Sequence, residues 1–356
     1  MLTPILVGLV VLSLIILAHE LGHFFSAKAI GVRVEEFGLG FPPRIFGIRW
    51  GETLYSINAI PFGGFNKMTG EEDPSDPRSL AAQGVGARLL VLNSGILVNL
   101  VLPVFLFSMA FMVPHDIVTE PVVVIDVAPN SPAAKAGMLP GDTLLSINGK
   151  SLQNTVQLLR TIQLNLGEQI TVLVKHSDAA TESLQIIPRW KPPQGEGAIG
   201  IKIDIKTAEA NQTVVRKSFP PWEAIPRGVV TLGETLSLYK DGIISLFVGT
   251  VPLELVGPVS IVQMTGEVAR VGFAPLLEFT SVISIALAIT QMLPLPALDG
   301  GRTAFVFLEW VRRGKRVPPK TEGMIHLIGF FLLMGVLVLI TYQDILRIIA
   351  GESIIP

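Results

Sequence analysis

The pattern of hydrophobic and polar positions predicts four membrane-spanning helices. A spanning helix needs about 20 mostly apolar residues, and four stretches of the chain approach or exceed that length. Residues 2–25 are apolar except for the sequence HELGH, and the other three stretches, 89–113, 279–298 and 324–343, carry no charge between them apart from a histidine. An even number of spans places both chain termini on the same side of the membrane.

Basic residues in the short connections predict the orientation of these spans, because Lys and Arg accumulate on the cytoplasmic side. Six follow the third span: Arg302, Arg312, Arg313, Lys315, Arg316 and Lys320. Seven follow the first: Lys28, Arg33, Arg44, Arg49, Lys67, Arg78 and Arg88. Both connections are therefore predicted to be cytoplasmic. The two termini and the long region between spans two and three are predicted to lie outside.

The outer region changes character along its length. Within residues 114–206, VVVIDVAP and QITVLVKH read as strands, SPAAKAGM as a short helix capped by Ser131, and VQLLRTIQLNL has helical spacing. The short strand AIGIKI (198–203) follows a loop rich in proline and glycine. These elements predict a compact α+β domain. Residues 207–277 are amphipathic and too charged to span, so a helical segment at the membrane surface is expected there.

Between spans one and two, LYSINAIPFGGFNKM alternates apolar and polar residues around a Gly-Gly pair. This pattern predicts a β-hairpin held near the membrane. The fold class is therefore a polytopic α-helical membrane protein with four transmembrane helices, a membrane-associated β-hairpin and an inserted extracytoplasmic α+β domain. The expected divisions are 1–113, 114–206, 207–277 and 278–356, the last containing the fourth span.

Composition agrees with a membrane protein and narrows the chemistry. The mean hydropathy is +0.57 and 16% of residues are charged, against about 25% in soluble domains. The net charge of -2 supplies no basic field, so nucleic acid is not an expected partner. There is no cysteine, so any metal must be held by His, Asp or Glu. The first span lacks a basic leading region and is interpreted as a retained anchor rather than a signal peptide.

The sequence HELGH places three ionisable side chains in the first span. His19 and His23 are four residues apart and share one helix face, a spacing that lets both imidazoles bind one ion. Glu20 is adjacent and can face the water that zinc activates. Such short motifs also occur by chance. Ionisable residues inside a span are costly and by default functional, however, so a zinc site with a glutamate base is predicted.

Catalytic zinc usually has three protein ligands, so a third must come from elsewhere. Asp299 lies at the cytoplasmic end of the third span, the same depth as HELGH, just after two prolines that break the helix. A plain Asp-Gly turn ending the helix would also account for Asp299. His326, near the start of the fourth span, is the alternative ligand. Asn93 and Asn99 in the second span are poor ligands for zinc.

With these residues assembled, the chain resembles the bacterial site-2 proteases, zinc intramembrane metalloproteases of regulated intramembrane proteolysis that carry a PDZ domain. HELGH resembles the first-span motif of that family, LDGG (298–301) its third-span motif, residues 95–99 its GxxxN element, and PFGGFNKMTGE its membrane-associated hairpin. The resemblance implies Zn²⁺ held by His19, His23 and Asp299, with Glu20 as general base, in the cell inner membrane.

The resemblance also implies residues and partners for substrate binding. The substrates expected are transmembrane proteins, such as anti-sigma factors already cut outside the membrane or remnant signal peptides. The substrate-binding candidates are Asn99, Gly63, Gly64, Phe65 and Gln291. Two positions depart from the family pattern: Gln291 stands where Asn is usual, and Ile96 where Pro is usual. Asn99 could instead serve only as a hydrogen bond between helices.

The outer domain resembles a PDZ domain that begins with VVVIDVAPNSPAAKAGMLPGD. PDZ domains accept an extended peptide as an added strand, and the edge strand 198–203 would then border the groove for a peptide or substrate C-terminus. The domain could instead act as a size filter.

A substrate span is expected to unwind and pair with the 55–68 hairpin before hydrolysis. Two other classes of protein are less favoured. A metal transporter would spread its ligands along a path, whereas the candidate ligands here lie at one depth. An inactive scaffold would be expected to lack Glu20 or a metal ligand, and all of these residues are present.

Overall fold

The computed structural model describes residues 2–203, 213–249 and 256–350. Its elements, in chain order, are α1 (Leu2–Ala29), β1 (Val34–Trp50), β2 (Thr53–Met68), α2 (Val85–Met112), β3 (His115–Thr119), β4 (Val122–Val127), α3 (Pro132–Lys135), β5 (Thr143–Ile147), β6 (Lys150–Ser151), α4 (Thr155–Gln163), β7 (Ile170–Lys175), β8 (Thr181–Ile186), β9 (Ile201–Ile203), β10 (Thr213–Lys217), α5 (Pro221–Val248), α6 (Pro258–Val271), α7 (Phe273–Met292), α8 (Asp299–Val311) and α9 (Pro319–Ala350).

The chain divides into two compact units. The first contains the described residues of Met1–Ala110, Pro221–Val229 and Leu255–Pro356, and the second those of Phe111–Pro220 and Val230–Glu254. The sequence-based boundary between residues 206 and 207 falls outside the described residues. The segment expected to be a surface helix from 207 to 277 contains, where it is described, the strand β10, the helices α5 and α6 and the first residues of α7.

Four helices of the described chain are long and apolar enough to cross a membrane: Pro4–Ala29, Val85–Met112, Phe273–Met292 and Pro319–Ala350. The number of spans predicted from the hydrophobic pattern is therefore matched. The predicted end of the third span at Leu298 is wrong, because α7 stops at Met292. The physical reason is proline: Pro294 and Pro296 have no N–H to donate and their rings clash with the preceding helical turn, so two of them in close succession disfavour continuation of the helix.

The hairpin between the first two spans is more folded than the sequence pattern predicted. Glu36 of β1 lies opposite two residues of β2, Leu54 and Lys67. Two different parts of β2 therefore pair with β1, one on each edge of β1. The predicted turn at Gly63-Gly64 is wrong in this respect: β2 continues through the pair, and the chain crosses there from one edge of β1 to the other. Gly63 has a φ of +77°, a conformation that glycine adopts at no steric cost.

Aromatic contacts hold this sheet against α1. The ring of Phe24 on α1 lies 5.1 Å from the ring of Phe37 and 6.0 Å from that of Tyr55, both in the sheet. Around them, a buried apolar cluster includes Val34, Met68 and residues of α2. The last strand segment, 64–68, consequently runs beside the part of α1 that carries HELGH. Gly64 illustrates the contact, since a methyl group there would lie 3.5 Å from Cγ of Glu20.

Helix α6 packs against the first span. A methyl group on Gly8 of α1 would lie 2.6 Å from the carbonyl oxygen of Val262, so only glycine permits this approach. The N-terminus of α6 is capped by Asp344 of α9, whose carboxylate accepts a hydrogen bond from the Ser260 N–H at 3.0 Å. An acidic side chain stabilises the N-terminal end of a helix dipole. Helix α6 is thereby fixed between α1 and α9.

The second unit contains a mixed α+β domain. Its main sheet has the strand order β8-β7-β5-β4-β9, with β6 paired to β5, and the described β3 and β10 form a separate pair. The strands predicted from VVVIDVAP and QITVLVKH are confirmed as β4 and β7. The predicted cap is confirmed as well, since Ser131 Oγ accepts a hydrogen bond from the Ala134 N–H at 3.1 Å. The predicted edge strand 198–203 contributes β9.

Helix α4 covers the core of this domain with one face. Leu158 is fully buried and belongs to the apolar cluster that includes Ile147 and Val172. Its neighbour Leu159 points away and is 59% exposed. Leu158 and Leu159 are thus neighbouring leucines on one helix, the first buried and the second exposed.

We therefore expect Leu158→Ala to lower the free energy of unfolding of the second unit by about 2–5 kcal/mol, through lost burial and the cavity left behind. Leu159→Ala is the matched control and should change it by less than about 0.5 kcal/mol. Hydrogen exchange of β5 and β7 in the purified full-length protein measures both. Equal effects of the two substitutions would contradict the assignment of Leu158 to the core.

Candidate metal centre

HELGH forms part of a continuous helix. α1 runs without a break from Leu2 to Ala29, so His19 and His23 lie one helical turn apart. Both imidazoles are buried, with 4% and 5% of their surface exposed. Their rings meet edge to face with centroids 4.8 Å apart. The helix therefore directs two nitrogen ligands into one small space inside the protein.

Asp299 completes a group of three possible metal ligands. Its Oδ2 lies 3.0 Å from Nε2 of His19 and 3.0 Å from Nε2 of His23, and the two Nε2 atoms are 3.2 Å apart. Among the described residues, these three form the cluster of His, Asp and Glu side chains whose ligand atoms converge on one point. The structure thus brings together the three residues that the sequence singled out, from segments 276 residues apart.

The backbone around Asp299 explains how the carboxylate reaches the histidines. α7 ends at Met292, and α8 begins at Asp299 itself. The two glycines that follow have no room for a side chain: a methyl group on Gly300 would lie 2.3 Å from the carbonyl oxygen of Leu293, and one on Gly301 would lie 2.1 Å from that of Leu295. The glycines of LDGG therefore let α8 fold back closely on the preceding loop.

Each histidine has a second partner that orients its ring. Nδ1 of His23 lies 2.8 Å from the carbonyl oxygen of Val91, so Nδ1–H donates there and Nε2 keeps its lone pair for a metal. Nδ1 of His19 lies 3.4 Å from the side-chain nitrogen of Asn99, while the Asn99 Oδ1 is buried with no hydrogen-bond partner in the described part of the chain. Since the two ends of an amide are assigned from hydrogen bonding, turning the Asn99 amide over lets Oδ1 accept from His19 in the same way.

The donor set fits zinc. Tetrahedral zinc with bonds of about 2.0–2.1 Å separates its ligand atoms by about 3.3 Å, close to the distances among His19, His23 and Asp299. Burial raises the pKa of the Asp299 carboxyl, but the two neighbouring imidazoles, when they carry a proton on Nε2, lower that pKa below its usual value. This environment favours the ionised form of Asp299, which is the form that binds a metal. Two nitrogens and one oxygen leave a fourth position for water or substrate.

Glu20 lies beside this group. It is half-buried and within electrostatic range of His19, His23 and Asp299. The edge segment 64–68 of β2 passes next to it at Gly64. A carboxylate in this position can exchange a proton with a water molecule held at the metal.

The predicted substrate-binding residues lie around the same place. Gly63 is adjacent to Ile16 of α1, and Phe65 lies over Gly38 and stacks on Phe41 with ring centroids 6.5 Å apart. Gln291 Oε1 lies 3.5 Å from the backbone nitrogen of Asp299. Asn99 is fully buried against His19. Contact of these residues with a substrate stays a prediction.

His326, the alternative third ligand, lies outside the cluster. Its Nδ1 accepts a hydrogen bond from the Ala297 N–H at 3.0 Å, and its ring contacts Phe305. Sequence reasoning missed this role. A signal was present three residues later: Gly329 leaves the same face of α9 without a side chain, which is typical of a close approach between helix and backbone.

Known proteins similar to this chain agree with the chemistry of the site. The model of peptidase family M50 matches residues 7–336. A protein of Clostridium perfringens named as a candidate zinc metalloprotease is 35% identical over 349 residues, which cover 96% of this chain and 98% of that protein. The zinc metalloprotease RasP of Geobacillus kaustophilus is 27% identical over 425 residues, covering 95% of this chain and 96% of RasP.

Among solved structures, the PDZ domain of an SdrC-like protein from Listeria monocytogenes is 24% identical and has a TM-score of 0.21. The match covers 24% of this chain and 87% of the other. A likeness this small carries no argument about the fold. The PDZ assignment of the second unit therefore stays a prediction.

Gly95 of α2 provides a test of the site geometry. A methyl group there would lie 2.4 Å from Nε2 of His23 and 2.7 Å from Cε1 of His19, distances that require the imidazoles to move. We expect Gly95→Ala to reduce the zinc content of the purified protein severalfold. Gly86→Ala, on the same helix with open space around it, is the control and should leave zinc content unchanged. Zinc at the wild-type level in Gly95→Ala would count against this arrangement.

Proposed function

Because the chain belongs to peptidase family M50 and is a membrane zinc metalloprotease, we propose that it hydrolyses a peptide bond within or near a transmembrane segment of other membrane proteins. The observation that carries this proposal is the position of the site. His19 and His23 belong to a helix that is long and apolar enough to span a membrane, and Asp299 joins them from the start of α8, which follows another such helix. A substrate that reaches them from lipid is itself a membrane segment.

In this proposal His19, His23 and Asp299 hold the zinc ion. Zinc, when bound, polarises the substrate carbonyl and lowers the pKa of a water molecule to about 7. Val91 and Asn99 keep the two imidazoles in the tautomer that leaves Nε2 free. Glu20 accepts a proton from the attacking water and later donates it to the nitrogen of the departing amine.

A substrate helix presents no open amide, because its backbone groups are bonded within the helix. We propose that it unwinds and pairs as a strand with the outer edge of residues 64–68. This edge is supported by two features: these residues pair with β1 on one side, and the segment runs past Glu20. Strand addition replaces the hydrogen bonds that the substrate loses on unwinding. Gly63, Gly64 and Phe65 would line this edge, with Asn99 and Gln291 behind it.

The proposed setting is the cell inner membrane, with both termini and the second unit outside and the site near the cytoplasmic face. The basic connections after spans one and three support this orientation. The proposed substrates are anti-sigma factors after a first external cut, or remnant signal peptides. The second unit, proposed as a PDZ domain of residues 114–206, would either bind a peptide end along β9 or restrict access by size.

Zinc analysis tests the proposed ligand set. Wild-type protein is expected to hold about one zinc ion per chain, as catalytic sites with three protein ligands do. Asp299→Ala should lose it, since two imidazoles alone hold zinc weakly. Asp126→Ala removes an exposed carboxylate of the second unit and is the control. Zinc retained by Asp299→Ala would reject Asp299 as a ligand.

Glu20→Gln separates metal binding from proton transfer. The amide has the same size but cannot accept the proton, so cleavage of a reconstituted single-span substrate should fall about 10²–10⁴-fold, while zinc content stays at the wild-type level. Glu168→Gln changes an exposed glutamate of the second unit and should cleave normally. Wild-type cleavage by Glu20→Gln would exclude Glu20 as the base.

A further inference from the structure

Asp299 depends on a short loop that links two helices. Residues 293–298, here called the 293–298 loop, join the end of α7 to the start of α8. The loop contains Pro294 and Pro296, whose φ angles are fixed by their rings. Its position sets the position of Asp299, which follows directly. Whatever holds the 293–298 loop therefore also aims the carboxylate.

His326 of α9 holds the loop by a hydrogen bond to an unusual backbone position. Ala297 has a φ of +73°, a left-handed conformation that is unfavourable for a residue with a side chain. Its N–H donates to Nδ1 of His326 at 3.0 Å. Since an N–H can only donate, Nδ1 must be the acceptor, and the proton of a neutral imidazole then lies on Nε2.

Burying the imidazole of His326 costs free energy, because one of its nitrogens has no hydrogen-bond partner among the described residues. His326 is 7% exposed, and its Nε2 is buried without a hydrogen-bond partner among the described residues. Apolar packing alone would favour a residue with no buried N–H. The cost indicates that the contact with Ala297 is what this histidine provides.

Gly329 forms a second contact between α9 and the loop. A methyl group on Gly329 would lie 2.3 Å from Cβ of Pro296 and 3.0 Å from its carbonyl carbon and oxygen. His326 and Gly329 are three residues apart and so lie on the same face of the helix. That face contacts two consecutive residues of the loop, Pro296 and Ala297.

The loop is also held from the side of α8, where Gly300 and Gly301 approach the carbonyl groups of Leu293 and Leu295. It is thus enclosed between α9 and α8, with a strained residue two positions before Asp299. A strained backbone conformation of this kind persists only where the surrounding structure holds it in place, and such conformations are concentrated at functional sites.

We propose that His326 and Gly329 form a clamp on the fourth span that positions Asp299 for zinc. They are positioning residues: neither is a ligand, and both act through the 293–298 loop. The proposal rests on the proposed function in one respect, that Asp299 is a zinc ligand. It makes the fourth span part of the metal centre although that span contributes no ligand.

Four variants test the clamp. His326→Ala removes the acceptor, and His326→Asn keeps one, because Oδ1 of asparagine stands in for Nδ1. Gly329→Ala pushes the loop away from α9. Gly335→Ala, on the same helix with open space around it, is the matched control.

Two measurements are made on each purified full-length variant: zinc affinity by competition with a chelator, and deuterium uptake of residues 293–301 in the metal-free protein. We expect His326→Ala and Gly329→Ala to bind zinc about 10–100-fold more weakly, as loss of a supporting partner does, with one zinc per chain still reached at saturation. Deuterium uptake should rise in the same two variants. His326→Asn and Gly335→Ala should match the wild type in both.

Turnover adds a third measurement. With zinc saturating, His326→Ala and Gly329→Ala should lower kcat by about 10²-fold, the cost of a displacement near 1 Å, and leave KM unchanged. Recovery in His326→Asn distinguishes positioning from a general loss of packing. If His326→Ala fails to fold, Gly329→Ala and His326→Asn still decide the question.

The possible failures are distinct. Wild-type zinc affinity and deuterium uptake in both His326→Ala and Gly329→Ala would overturn the clamp while leaving the zinc site intact. Zinc affinity that is unaffected by Asp299→Ala would instead overturn the ligand set of the proposed function.

Discussion

The structure depends on placing polar ligand atoms inside helices that are otherwise suited to lipid. Buried polar and charged groups are unfavourable unless each has a partner, and the chain supplies partners from several segments. His23 donates to Val91, His19 lies against Asn99, and Asp299 faces both imidazoles. These contacts bind α1, α2 and the start of α8 to one another. The same interactions therefore form the zinc site and hold the helices together.

Glycine makes this association sterically possible. Membrane helices lack a strong hydrophobic force to drive them together and instead rely on close packing between small residues. A methyl group on Gly22 of α1 would lie 2.6 Å from the carbonyl oxygen of Ser94, and one on Gly95 would meet both imidazoles. Gly300, Gly301 and Gly329 act similarly around the 293–298 loop. The shape of the site therefore depends on these glycines, whose lack of a side chain permits the close approach, as well as on the ligands.

The sheet between the first two spans brings to the same place a strand edge that has no further strand partner among the described residues. Its position follows from aromatic packing of Phe24 against Phe37 and Tyr55, and from the crossing of β2 at Gly63. Alternation along LYSINAIPFGGFNKM predicted strands correctly but gave the wrong turn. The period of a strand reports which residues share a face, whereas the choice of pairing edge depends on the partner strand.

The sequence by itself determined the features that depend on neighbouring residues. The four apolar helices, the shared face of His19 and His23, the strands β4 and β7 and the cap at Ser131 all follow from spacing within one element. The family and the zinc chemistry could also be inferred, because HELGH and LDGG are intact. The sequence favoured Asp299 as the third ligand beside the histidines, on its depth and on the family resemblance, and kept His326 as the alternative.

Only the tertiary structure decided how distant segments meet. It places Asp299 at the imidazoles and His326 at Ala297, and it places Gly95 against both histidines. Each of these contacts joins different elements of the fold, and each depends on the narrow gaps between those elements. Local patterns carry no information about such gaps, since they arise from the packing of whole helices.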